Sequence, residues 1–150
     1  MIKFKNDIGS ITVASTGASL VQAELNGKEL LHDFGEQWHQ WAAGAVMFPF
    51  PVRMASGTVM AFEAAEYHWP VNDEKHRAAL HGFTPWEEFE LAQLPNGIQA
   101  SWNYDGSKAH YPFPCRLAIR YTLDEHGVDL DRRLNKATLI KQINELEDKD

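Results

Sequence analysis

The sequence contains a single cysteine, Cys115, in 150 residues. One thiol cannot form an internal disulfide, and it offers no pair of sulfur ligands at the spacing of a metal site. The seven histidines include no HxH or HxxxH pair, the spacings that bring two imidazoles to one metal ion. We therefore expect no disulfide, no metal and no cofactor, and we interpret Cys115 as a small buried hydrophobic residue.

Long apolar runs and basic clusters are also absent. No segment approaches the ~18 consecutive apolar residues that cross a bilayer, and the start of the chain lacks the apolar stretch and cleavage site of a secretory signal. The 14 Lys and Arg residues are outnumbered by 21 Asp and Glu, which gives a formal net charge of −7, and they form no basic stripe for a phosphate backbone. These absences predict a cytoplasmic protein that binds neither membranes nor nucleic acid.

Strand and turn signals follow one another along most of the chain. Residues 18–25 and 29–32 flank Asn26-Gly27, a dipeptide that favours tight hairpin turns. Further strands are predicted at residues 2–6, 10–15, 45–50, 58–62, 66–69, 86–94, 97–104 and 114–123. At residues 45–50, Pro49 and Pro51 cannot donate to a ladder and imply an edge strand or an irregular stretch. Short strands at regular spacing with turns between them are typical of an all-β, antiparallel β-sandwich.

Three segments depart from this strand pattern. Residues 36–43 show no alternation and predict a loop or one helical turn, and residues 72–79 predict a polar loop. Residues 136–147 place four apolar side chains on one face, as an amphipathic helix does. We therefore divide the chain into a β-sandwich domain, residues 1–134, and an amphipathic helical tail, residues 135–150.

The candidate site lies between residues 47 and 83. Arg53 follows a proline-bounded apolar segment, and His81 stands in a Leu-His-Gly sequence where a polar loop ends. We expect these two side chains to face one pocket. The alternatives are an ion pair for Arg53 and a histidine satisfied within a turn for His81. Trp69 and Trp86 either pack in the core or line the pocket.

Four segments occur in the order and approximate spacing of the aldose 1-epimerase (galactose mutarotase) family, which the chain resembles over about residues 8–135. They are GAVMFPFPVRMASGTVMAF, EYHWPVND, ALHGF and HYPFPCRLAIRYTLDEHGVDL. The resemblance implies a large antiparallel β-sandwich that holds a sugar ring at the centre of its sheet. By position, Arg53 matches the family's substrate-binding arginine, and His81 matches the histidine that hydrogen-bonds the sugar near its ring oxygen.

The reaction that this resemblance implies is the interconversion of the α and β anomers of a hexose. A base removes the proton of the C1 hydroxyl while an acid protonates the ring oxygen, so the ring opens, the C1–C2 bond rotates and the ring closes on the other face. An imidazole suits the acid role because its pKa is near neutral, and a guanidinium offers planar donors to sugar hydroxyls. We assign His81 as catalytic and Arg53, Trp69 and Trp86 as substrate-binding, with a hexose or a hexose phosphate as substrate.

Two further catalytic groups of the family have no match in this chain. The family's second histidine and its glutamate base both come from a portion that follows the matched segment. Three hypotheses result: an epimerase-type isomerase that completes its site across a homo-oligomer, a sugar-binding or regulatory module without turnover, and an oligomerising interaction protein. Because a partial sandwich exposes strand edges and apolar surface, we predict a homo-oligomer formed through sheet edges or the tail helix.

Overall fold

The computed structural model describes residues 1–32, 34–54, 59–62 and 65–134. Its first sheet contains four antiparallel strands in chain order: β1 (Ile2–Lys5), β2 (Gly9–Val13), β3 (Leu20–Leu25) and β4 (Lys28–Glu29). Asn26 and Gly27 join β3 to β4 with φ angles of 51° and 74°, the left-handed backbone that this turn requires. The predicted Asn-Gly hairpin is confirmed, although β4 ends before the predicted residue 32.

Two short ladders follow the first sheet along the chain. Their strands are β5 (Arg53–Met54), β6 (Val59–Phe62), β7 (Ala65–His68) and β8 (Ala79–Leu80). The β6–β7 pair is the hairpin predicted from sequence. The β5–β8 pair joins two segments that are distant in sequence. The strands β5 and β8 have only two residues each, which is too short for an apolar–polar alternation to be detected in the sequence.

The second large sheet comprises β9 (Glu90–Leu94), β10 (Gly97–Tyr104), β11 (Cys115–Asp124) and β12 (Gly127–Leu134), in the spatial order β12-β11-β10-β9. Every second residue of β11 is buried, which is the period of a strand with one face on a core. The strand predicted at residues 86–94 begins only at Glu90, because Thr84–Trp86 form a 3-10 turn.

The two large sheets share one hydrophobic core. Ile11 of β2, Ile98 of β10 and Tyr121 of β11 have no exposed surface, and burial of each isoleucine side chain contributes about 1.5–3 kcal/mol. The Tyr121 hydroxyl donates to the carbonyl oxygen of Ala18 at 2.6 Å, which ties the second sheet to the loop before β3. Cys115 belongs to the same core, so its interpretation as a buried hydrophobic residue is confirmed.

Several local predictions need correction. Residues 45–50 do not form a strand: Phe48 makes a single bridge with Gly82, and the Phe48-Pro49 peptide bond is cis. The predicted polar loop at residues 72–79 contains a 3-10 turn, Glu74–His76, and ends in β8. The segment predicted as a loop or one helical turn forms a longer 3-10 helix, Gly35–Trp41.

The predicted tail helix, residues 135–150, lies outside the described residues and stays a prediction. In the part of the chain that is described, no helix has the length and apolar character needed to traverse a bilayer.

Candidate functional site

The β5–β8 ladder brings Arg53, predicted to bind substrate, and His81, predicted to be catalytic, to neighbouring backbone segments. Arg53 pairs with Leu80 across this ladder, and His81 follows Leu80 directly. The backbone N–H of His81 donates to the carbonyl oxygen of Val52 at 3.2 Å. The imidazole Nδ1 of His81 lies 2.7 Å from the carbonyl oxygen of Pro51. The backbone and the side chain of His81 are therefore both hydrogen-bonded to the segment that precedes Arg53.

The contact with Pro51 determines which nitrogen of His81 is available for chemistry. A carbonyl oxygen only accepts hydrogen bonds, so Nδ1 must carry a proton. The other nitrogen, Nε2, then accepts a hydrogen bond in the neutral imidazole and donates one in the imidazolium. His81 adopts a φ angle of 59°, an uncommon value for a residue other than glycine. Its two hydrogen bonds to the backbone hold it in this conformation.

The residues on either side of His81 are fixed as well. The side-chain amide of Asn72 donates to the carbonyl oxygen of Leu80 at 3.0 Å and accepts from its N–H at 2.6 Å. Gly82 has a φ angle of 68°, and a Cβ atom added there would lie 1.9 Å from the carbonyl oxygen of Phe48. Only glycine permits this close approach of two backbones. The Leu-His-Gly sequence is thus a rigid turn.

Arg53 is held by an ion pair. Its Nε donates to Oδ2 of Asp73 at 2.5 Å, and Nδ1 of His76 lies 2.9 Å from the same oxygen. The Arg53 hydrogen bond, followed by that of His76, lowers the pKa of Asp73 to about 2. The ion pair that sequence reasoning offered as the alternative for Arg53 is therefore present. This ion pair uses the Nε of Arg53, so Asp73 does not occupy the terminal Nη donors. The Arg53 side chain is 52% exposed.

A cleft of about 260 Å³ opens beside this turn. Its lining consists of Trp69, Pro70, Asn72, Gly82, Phe83, Trp86, Lys108 and His110. Both predicted tryptophans contribute to it, but with different exposure: Trp86 is 48% exposed and Trp69 only 8%. Arg53 and His81 do not line this cleft, and the expectation that they face one pocket stays a prediction. The cleft is lined instead by Gly82, which follows His81, and by Asn72, which binds the backbone of Leu80.

Trp69 combines the two roles considered for it. Its ring centroid lies 4.9 Å from that of Phe50 and 5.8 Å from that of Phe83, against which it stacks. Among the residues that the structure describes, its indole Nε1 is buried without a hydrogen-bond partner. Trp69 is thus a core residue whose edge forms the wall of the cleft, whereas Trp86 is the more accessible ring.

The two ionisable residues of the cleft, Lys108 and His110, were not identified from sequence. The imidazole of His110 lies 4.5 Å from the Trp69 ring, and burial, followed by the charge of Lys108, lowers its pKa. The Nζ of Lys108 lies 3.0 Å from a carboxylate oxygen of Glu87 and 5.5 Å from the centre of the Phe83 ring. Both residues lie in the loop between β10 and β11. No short sequence motif marks them, because their position in the cleft depends on the path of this loop. Across the described ranges, no three His, Cys, Asp or Glu side chains cluster as metal ligands would.

Comparison with solved structures gives the class of fold. The GalM/aldose epimerase homologue from C. elegans superimposes with a TM-score of 0.74 at 16% sequence identity, over 89% of this chain and 45% of that one. A galactose mutarotase-like protein from Lactobacillus casei gives a TM-score of 0.67 at 17% identity, over 89% of this chain and 43% of that one. The chain therefore has the β-sheet fold of the galactose mutarotase-like proteins.

Sequence comparison gives the family. The aldose 1-epimerase family profile matches residues 1–140, and the chain belongs to the aldose 1-epimerase family. The uncharacterized protein YihR of Escherichia coli strain K12 is 26% identical over 116 residues, which are 77% of this chain and 37% of YihR. The resemblance read from the four sequence segments is confirmed. The chain spans less than half the length of these relatives.

Proposed function

We propose that this chain binds an aldohexose through Arg53 and His81 and takes part in the interconversion of its anomers. The observation that carries the proposal is the attachment of His81 to the Arg53 segment through Pro51 and Val52. It leaves the Nε2 of one side chain and the Nη donors of the other for a ligand. Rigid placement of such groups before binding lowers the entropic cost of holding a sugar.

In the proposed reaction His81 is the acid. Its protonated Nε2 donates to the ring oxygen as the bond between C1 and that oxygen breaks, while a base takes the proton of the C1 hydroxyl and a carbonyl forms at C1. Rotation about C1–C2 and return of both protons close the ring as the other anomer. The family's glutamate base has no match among residues 1–134, so we propose that a carboxylate of a second copy of this chain takes this role in the homo-oligomer.

The cleft beside His81 would take the apolar face of the sugar ring. The exposed ring of Trp86 offers a stacking surface, and Trp69 forms the buried wall behind it. Lys108 is the cation of this cleft, but its ammonium is paired with the carboxylate of Glu87. We therefore propose a neutral hexose as the first ligand to examine and hexose phosphates as the second.

The experiment follows the optical rotation of freshly dissolved α-glucose and α-galactose with wild-type protein and with His81→Asn. Asparagine is preferable to alanine because it tolerates the left-handed backbone of this position. Its amide also replaces the Nδ1 donor to Pro51, while the Nε2 position is lost. His126→Asn is the matched control, because His126 is exposed in the β11–β12 turn.

Three outcomes separate the hypotheses. Acceleration by wild type and by His126→Asn, lost in His81→Asn, supports the isomerase. A sugar-dependent change in tryptophan fluorescence without acceleration indicates the sugar-binding module. No acceleration and no signal change with either hexoses or hexose phosphates would remove the carbohydrate function.

We also propose that the protein forms a homo-oligomer. Met1, Leu31 and Phe34 are exposed apolar residues that line a second cleft, of about 390 Å³, together with Trp38. Contiguous apolar surface of this kind is typical of protein interfaces. Light scattering at micromolar concentration tests this proposal, and a monomeric mass would contradict it.

A further inference from the structure

Asp73 is held in place independently of Arg53. Its backbone N–H donates to the carbonyl oxygen of Ala78 at 3.0 Å, and the N–H of Ala78 donates back at 3.1 Å. One oxygen of its carboxylate also accepts from the backbone N–H of His76 at 3.4 Å. The side chain is 11% exposed. The carboxylate is therefore a fixed point on the loop that leads into β8.

The hydrogen bonds of this carboxylate orient the guanidinium. Arg53 is exposed and has many rotamers, so without a partner its terminal donors would sample many positions. The contact from Asp73 to Nε, and not to an Nη atom, fixes the side chain while leaving the terminal donors unoccupied by Asp73. The Nδ1 of His76 lies 3.0 Å from Oδ1 and 2.9 Å from Oδ2 of the same carboxylate. Asn72, next to Asp73, fixes the backbone of Leu80 in the same way.

We propose that Asp73 is a positioning residue for Arg53: it sets the orientation in which the guanidinium meets the sugar, without touching the sugar itself. This inference rests on the proposed function and adds to it the residue that organises the arginine. It follows that loss of Asp73 weakens sugar binding through Arg53 alone. The proton transfers at C1 and at the ring oxygen are not affected.

The first test needs no sugar. In nitrogen-15 spectra of the full chain, the Nε–H of Arg53 should exchange slowly with water in the wild type. It should exchange rapidly in Asp73→Ala and remain slow in His76→Ala, the control that removes the other partner of Asp73. An Nε–H signal of Arg53 that is the same in Asp73→Ala as in the wild type would overturn the proposal.

The second test uses mutarotation kinetics. Asp73→Ala should raise KM about threefold to tenfold and leave kcat within about twofold, the range expected for residues coupled through direct contact. In an Arg53→Ala background the same substitution should have no further effect on KM. If the Asp73 effect persists there at full size, Asp73 does not act through Arg53 and the proposal is wrong.

Failure of this inference can be distinguished from failure of the proposed function. If wild type neither accelerates mutarotation nor binds any sugar, the proposed function fails, and the exchange of the Arg53 Nε–H still decides whether Asp73 orients it. Asp73→Asn, which keeps the size and one acceptor oxygen, replaces Asp73→Ala if circular dichroism shows that the alanine variant does not fold. In the Asp73→Asn variant, the Nε–H of Arg53 should exchange faster than in the wild type but more slowly than a free guanidinium. An exchange rate equal to that of the wild type would contradict the proposal.

Discussion

The Nδ1 atom of His81 lies 2.7 Å from the carbonyl oxygen of Pro51. This contact makes the tautomer of the neutral imidazole predictable, because the Pro51 carbonyl oxygen accepts a hydrogen bond only from a proton on Nδ1. We expect neutral His81 to be protonated on Nδ1 and unprotonated on Nε2 in nitrogen-15 spectra. A proton on Nε2 of the neutral ring would show that Pro51 does not control this histidine.

The close approach of Gly82 to Phe48 predicts a severe effect of a single methyl group. Gly82→Ala places a Cβ 1.9 Å from the Phe48 carbonyl oxygen, so the backbone must shift. We expect a loss of more than about 4 kcal/mol in the free energy of unfolding, or failure to fold. Urea denaturation measures this loss.

Gly27→Ala is the matched control for that variant. Gly27 also has a positive φ angle, 74°, but no atom lies within 4 Å of the added Cβ. Its cost should be only that of a left-handed alanine, about 1–2 kcal/mol. Equal effects of the two variants would mean that backbone strain, and not contact with Phe48, explains the glycine at position 82.

Thr84 predicts a second specific loss of stability. Its buried hydroxyl donates to the Val46 carbonyl oxygen at 2.6 Å and accepts from the Phe48 N–H at 2.8 Å. Thr84→Val keeps the shape and leaves both backbone groups without this partner, which should cost about 2 kcal/mol or more in the free energy of unfolding. Thr12→Val removes a single part-buried hydrogen bond, of 3.2 Å to Oε1 of Gln22, and should therefore cost less, about 0.5–1 kcal/mol.

The ion pair at Asp73 should persist well into acid. Its pKa falls from the ordinary 3.8 to about 2, so the folded state favours the carboxylate more than the unfolded state does. The contribution to stability is therefore present above pH 3.8 and is lost as the pH falls from 3.8 towards 2. A carbon-13 titration of the Asp73 carboxyl group measures the midpoint. Arg53→Ala should raise it towards 3.8, and a wild-type midpoint already at 3.8 would contradict the ion pair.

Cys115 should be unreactive in the native protein. Burial raises the pKa of its thiol to about 11, and thiol reagents attack the thiolate. At pH 8, a value chosen about three units below this pKa, we expect negligible labelling by a maleimide or a disulfide reagent until the chain is unfolded in urea. Rapid labelling of the folded protein at that pH would show that the core around β11 opens.

The sequence was most informative where a pattern is local. The regular spacing of short strands and turn signals predicted β10 and β11, and the Asn26-Gly27 dipeptide predicted a hairpin. The structure contains all three, because a turn residue acts on its own backbone whatever lies further along the chain. The order of four segments also predicted the family. At residues 45–50 the short strand was wrong, and the irregular stretch that Pro49 and Pro51 implied is what the structure shows, with an isolated bridge from Phe48 to Gly82.

By itself, the sequence determined the class of fold, the family and the identities of Arg53 and His81 as candidates. Only the tertiary structure decided that Arg53 is bound by Asp73, that His81 is attached to Pro51, and that Lys108 and His110 join the tryptophans in one cleft. The physical reason is separation along the chain. These contacts join segments many residues apart. A hydrogen bond between such segments depends on how the chain packs, and it produces no periodic pattern in the sequence of either segment.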